Sequence, residues 1–126
     1  MKQALNPKAV AASPFYSQGI EVTGSSRTVY VSGQVGVAAD GSVGDGIAAQ
    51  SLQAVANLNA VVAEAGMEPS DIVKLTIYLT DPANVGPFAE AAGPALPADP
   101  PATTMLIVQA LASPELLVEI EAVAAA

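Results

Sequence analysis

The chain has 126 residues, 52% of them apolar and only 13% charged, and its 12 acids against four basic residues leave a formal net charge of −8. At that length a single domain over residues 1–126 with a real core is expected, while four scattered cations (Lys2, Lys8, Arg27 and Lys74) cannot track a phosphate backbone, which argues against nucleic acid as a partner. Cysteine and histidine are both absent, which excludes disulfides, thiolate nucleophiles, Ser-His-Asp triads and ordinary zinc sites.

In chain order, the opening run MKQALNPKAV lacks the apolar stretch of a secretory leader. No later segment reaches ~18 consecutive apolar residues, so no membrane span is expected and a cytoplasmic setting is. FYSQGIEVTGSSRTVYVSGQVGV reads as two strands: Ile20 and Val22 alternate with polar neighbours, TGSS is a turn, and RTVYVSG is rich in β-branched residues. Residues 40–46, DGSVGDG, form a glycine-rich turn. No Lys-Ser or Lys-Thr follows, so it is not a phosphate loop, and no cofactor is implied.

From Gly46 to Ala65 the period lengthens. Ala48, Leu52, Val55, Leu58 and Val62 fall at steps of three and four, which predicts one helical face, with Gly66 at the stop position. DIVKLTIYL then alternates as a strand, with Ile72, Lys74, Thr76 and Tyr78 on one face and Val73, Leu75, Ile77 and Leu79 on the other. DPANVGPFAEAAGPAL holds a short helix weakened by Gly86, Pro87, Gly93 and Pro94. DPPATTMLIV reads as a proline-fixed turn entering a buried strand, with Thr103 and Thr104 at its mouth. TTMLIVQAL and ELLVEIEAVA are the last two strands, joined by ASP.

The resulting order, β-β-α-β-α-β-β, predicts an α+β fold with helices on one face of a sheet. The other face is left bare by this chain, and an apolar composition with few charges favours covering it with further copies.

Five stretches stand in a fixed order: SPFYSQGI at 13–20 before VYVSGQVGV at 29–37, QSLQAVANLNAVVAEAGMEPSDIVKLTIYLTD at 50–81, and PAT at 101–103 before VEIEAVA at 118–124. Together they resemble the RidA (YjgF) family, also labelled L-PSP endoribonucleases, over nearly the whole chain. The resemblance implies a chorismate-mutase-like α+β fold, a homotrimer and three small-molecule clefts between subunits. Family members with full motifs hydrolyse reactive imines or enamines to 2-oxo acids and release ammonia. Their arginine follows Pro-Ala and grips the substrate carboxylate, a glutamate on the last strand positions water, and a tyrosine and a Ser-Gly strand line the cleft.

Carried over residue by residue, the resemblance places Glu119 at the catalytic glutamate and Tyr16 at the tyrosine, with Pro14 and Phe15 where the family has Gly-Pro. Ser32 and Gly33 match the cleft strand, and Thr103, beside Thr104, stands at the arginine position. The asparagine often found in the second helix has no counterpart in 84–96. Arg27 is a solvated strand-start residue unless a neighbouring subunit borrows it. Glu121 shares the face of Glu119 and is the less favoured acid.

Two readings stay open. One is an arginine-lacking relative of the deaminases that acts on a neutral or amine-bearing metabolite through Glu119 and bound water. The other is a trimer that binds a small metabolite without turning it over. An RNase is disfavoured, because the negative charge and missing histidine leave neither phosphate binding nor the usual acid/base pair. No metal or cofactor is expected.

Overall fold

The structure, a computed structural model, describes all residues 1–126. Strand β1 (Lys2–Leu5) pairs antiparallel with β2 (Gly19–Val22) in a two-stranded ribbon. A second sheet holds β3 (Thr28–Val35), β4 (Ile72–Leu79), β5 (Ala102–Ile107) and β6 (Val118–Ala125) in the order β3-β6-β4-β5. Its β4–β5 pairing is parallel and its other pairings are antiparallel. Helix α1 (Gly46–Glu64) and helix α2 (Val85–Ala92) cover one face, giving the expected α+β class.

The core is set by period-two alternation on β6. Val118, Ile120, Ala122 and Ala124 are buried against the helices, while Glu119 and Glu121 point to the bare face. Leu75, Ile77 and Leu79 of β4 and Val31 of β3 extend this apolar layer. From α1, Ala54, Val55, Leu58 and Val62 close it.

Four expectations need correction. An extra strand, β1, precedes those read from the sequence; its Lys2-Gln3-Ala4-Leu5 is exposed throughout and carries no burial pattern to read. The face of α1 is rotated in its first turns: Gln50 and Ser51 are buried, whereas Ala48 is exposed and Leu52 is 50% exposed. On β4 the register slips between Ile72 and Lys74, so Val73 is an extra residue and Ile72 joins the buried set with Leu75 rather than the Lys74 face. Strand β5 is not a buried strand but the sheet edge; it ends at Ile107, and Thr104, Leu106 and Ile107 are exposed. Between it and β6, residues 108–117 form a connection longer than ASP alone.

Two amides of α1 fasten the helix to the sheet. Buried Gln50 donates from Nε2 to the carbonyls of Gly44 (3.1 Å) and Glu115 (2.9 Å) and accepts at Oε1 from the Leu117 N–H (2.8 Å). Gly36 passes so close that a Cβ there would lie 2.5 Å from the Gln50 Cα, so only glycine fits. Asn57 donates from Nδ2 to the carbonyls of Val35 (3.0 Å) and Val37 (2.9 Å), and Gln53 donates to its Oδ1 (2.8 Å). The Gln-x-x-x-Asn spacing at 53–57 therefore serves the architecture, by satisfying backbone carbonyls where β3 ends.

Replacing Gln50 by alanine strands one buried N–H and two carbonyls. Gln50→Ala is expected to lower unfolding stability by about 2–4 kcal/mol in urea denaturation, with little change in m-value.

Candidate functional site

The bare sheet face carries a row of polar side chains. Directly opposed pairs place Thr76 beside Glu121 and Tyr78 beside Glu119, and Tyr30 beside Val123. The two acids are drawn apart. The Tyr78 hydroxyl reaches diagonally to donate to Glu121 Oε1 at 2.7 Å. Glu119 makes no side-chain hydrogen bond; its carboxyl leans the other way, over Gly33 of β3, where an added Cβ would come within 2.7 Å of its Cδ. Room for that carboxyl comes from an irregularity in β3. Val31 pairs with Ala122 and Gln34 with Ile120, so Ser32 and Gly33 together stand opposite Glu121. Gly33 thus seats Glu119, and Ser32 is exposed beside it. Further along the row, Lys74 Nζ donates to Thr104 Oγ1 at 2.8 Å.

A second feature lies at the far edge. The segment before β2 is pinned to the start of β5: the Ser17 N–H donates to the Pro101 carbonyl (3.2 Å) and its buried hydroxyl to the Pro100 carbonyl (2.6 Å). This sets Tyr16 and Phe15 over Thr103, and with α2 they enclose a cavity of about 540 Å³. Thr103 and Met105 pair with Leu75 and Ile77 and so face the helix side, whereas Thr104 faces the bare side. The Thr103 hydroxyl donates to the Pro101 carbonyl at 3.1 Å.

Of the site residues expected from the sequence, Tyr16 and Thr103 meet at this cavity, and Glu119, Ser32 and Gly33 meet on the bare face, with Thr104 at the opposite end of that face's polar row. A single chain does not join the two groups. Arg27 lies with neither: its guanidinium donates to the Ala65 carbonyl at 2.6 Å, where a cation complements the C-terminal end of α1. No group of three or more Asp, Glu, His or Cys side chains could hold a metal, and no helix is long and apolar enough to cross a membrane.

Tyr78 and Phe88 escaped sequence reading. Alternation put Tyr78 on one face with Lys74 and Thr76, but its partner depends on a β4–β6 register that only the assembled sheet defines. Phe88, buried in α2 and lining the cavity, sits in a run whose glycines and prolines masked its helical period.

With this geometry in hand, the comparisons with known proteins agree on kinship. The family model described as endoribonuclease L-PSP matches residues 6–126. The chain belongs to the RidA/YjgF family. A RutC family protein of Aquifex aeolicus is 38% identical over 82 residues, covering 64% of this chain and 63% of that protein. A mouse 2-iminobutanoate/2-iminopropanoate deaminase is 38% identical over 87 residues, covering 66% and 61%. The matches thus span about three fifths of these two curated relatives. A crystal structure of a Rid family protein of unknown function, YyfB of Yersinia pestis, superposes with a TM-score of 0.87 at 39% identity, covering 99% of this chain and 98% of that one. The fold of this chain is thus the RidA-family fold.

The hydrogen bond to Glu121 holds the Tyr78 phenol above its ordinary value of 10.0, with partial burial and the charges of Glu121 and Glu119 acting in the same direction. The raised value means that the folded state favours the protonated phenol. The pair's contribution to stability is complete below the ordinary value and is lost as pH rises through the raised one. An absorbance titration of tyrosinate is expected to show one tyrosine ionising late. Tyr78→Phe should remove that phase, and Glu121→Gln should move it to lower pH.

Proposed function

We propose that this protein is a homotrimer whose small-molecule clefts lie between subunits, and that it hydrolyses an imine or enamine through Glu119 and a bound water. The observation that carries this reading is the Glu119 carboxylate: half-buried on the bare face, without a hydrogen-bond partner, and seated on a glycine that leaves it room. Two strand spacings, roughly 10 Å, and the thickness of the sheet separate it from the Thr103 cavity on the edge strand. A neighbouring copy docked against that edge supplies what one chain lacks: the exposed Leu106 and Ile107 of β5 are the apolar surface it would cover.

The reaction needs one group that handles protons. Glu119 takes a proton from water as the oxygen attacks the C=N carbon and returns it to nitrogen, giving a carbinolamine. It then moves the carbinolamine hydroxyl proton to the same nitrogen, the C–N bond breaks as C=O forms, and a carbonyl compound and ammonia leave. A neutral or amine-bearing substrate suits the cleft better than a 2-imino acid, because Thr103 stands where the family resemblance expects arginine. An arginine fork contributes about 1.5–3 kcal/mol per charge-assisted bond and a hydroxyl about 1, so the carboxylate loses of order 2–4 kcal/mol, roughly 30- to 1000-fold.

A second reading, a trimer that binds a metabolite without turning it over, is favoured by one observation: the cavity itself contains no titratable group apart from the Tyr16 phenol.

Sedimentation equilibrium at micromolar concentration is expected to give a trimer; a stable monomer would remove the inter-subunit cleft. Ammonia release should be measured with imines generated in place, charged and uncharged. Glu119→Gln should cut turnover by ~10²–10⁴-fold with folding intact, and Glu121→Gln much less. Thr103→Arg should raise turnover of 2-imino acids selectively. Absence of turnover on every imine, with retained ligand binding, would leave the binding reading.

A further inference from the structure

The cavity between the N-terminal segment, α2 and edge strand β5 states what it will accept. Its sixteen lining residues include no aspartate, glutamate, lysine or arginine. Phe15, Tyr16, Val85, Phe88, Leu96 and Met105 are the large apolar side chains that line it from the N-terminal segment, α2 with the segment after it, and β5. At about 540 Å³ it falls within the roughly 300–1,000 Å³ typical of small-molecule pockets. The Thr103 hydroxyl already spends its proton on the Pro101 carbonyl. The Tyr16 hydroxyl makes no hydrogen bond within the chain and is left as the donor at the mouth.

Charge has no partner here. A carboxylate would leave water for a wall without a cation, on a chain of net charge −8. An ammonium would find no carboxylate in the cavity wall, since the chain's own Glu119 and Glu121 lie on the other face of the sheet and a neighbour's Glu119 would reach only the mouth. An apolar group loses nothing of this kind. It gains burial against two aromatic side chains at the mouth, Phe15 at 79% exposure and Tyr16 at 37%, that are otherwise wetted.

We infer that this cavity binds uncharged ligands with a branched or aromatic hydrocarbon group, which packs against Phe88, Leu96 and Met105, and a single hydrogen-bond acceptor at the Tyr16 hydroxyl. The inference rests on the cleft proposed above and names the class of ligand it holds: of the neutral and amine-bearing substrates allowed there, it keeps the neutral ones and adds a bulky apolar substituent.

Two fluorescent probes that share an anilinonaphthalene frame test it. N-phenyl-1-naphthylamine is uncharged at neutral pH; 8-anilino-1-naphthalenesulfonate carries a sulfonate. The neutral probe is expected to bind saturably and at least tenfold more tightly than the sulfonate. Ala89 borders the cavity from an exposed position on α2, so Ala89→Trp should fill it and abolish neutral-probe binding while circular dichroism and melting temperature stay unchanged. Val85→Trp, also at the cavity and 39% exposed, serves the same purpose from the preceding turn should Ala89→Trp misfold. Equal or tighter binding of the sulfonate, or undiminished neutral-probe binding in a folded tryptophan variant, would overturn the inference. A monomer that still prefers the neutral probe would leave this ligand class standing and remove the inter-subunit cleft; a trimer that prefers the sulfonate would do the reverse.

Discussion

A β-strand can bury only every second side chain on a given face, and β6 is where that constraint bears hardest. Its small and branched residues, Val118, Ile120, Ala122 and Ala124, must lie under the helices. Glu119 and Glu121 are then turned out to the face that this chain leaves uncovered. The placement of the acid is therefore a by-product of core packing. Once the hydrophobic set of β6 is committed to α1, the carboxylates have one side left to go. Sliding β6 by one residue would put both acids into the core and expose four buried apolar positions.

The same geometry separates two chemistries. On the bare face are hydroxyls, acids and a lysine; at the edge is an apolar cavity roofed by α2. Each is held by backbone contacts of its own. The β3 irregularity makes space for Glu119, and Ser17, bonded to the carbonyls of Pro100 and Pro101, fixes Tyr16 over the cavity. One chain holds them on opposite sides of its sheet, so their joint use belongs to the proposed trimer.

Much of this was legible from residue order. The last strand and the long helix ending before Gly66 (φ +75°) come from period and punctuation, and the place of Glu119 on that strand comes from the family resemblance. What escaped has identifiable causes. The first turns of α1 bury Gln50 and Ser51 because loops, not apolar side chains, pack there, and a hydrophobic template cannot see an amide answering three backbone groups. The apolar run of β5 reads as a buried strand because hydrophobicity alone does not tell an edge strand from a central one. The Val73 slip and the Tyr78–Glu121 bond are properties of inter-strand register, which a lone strand does not encode.

Strand order carries a kinetic meaning as well. β3 and β4 never touch as sheet partners; both pair with β6, the last strand along the sequence. A nascent chain therefore holds β3 and the β4–β5 pair as separate pieces with raw edges until β6 emerges and slots between them. Gln50 likewise waits for the backbone of residues 65 and 67 positions downstream. Folding by this route is dominated by distant contacts and waits for β6, so the waiting edges are the stage at which this chain is most exposed to mispairing with its neighbours.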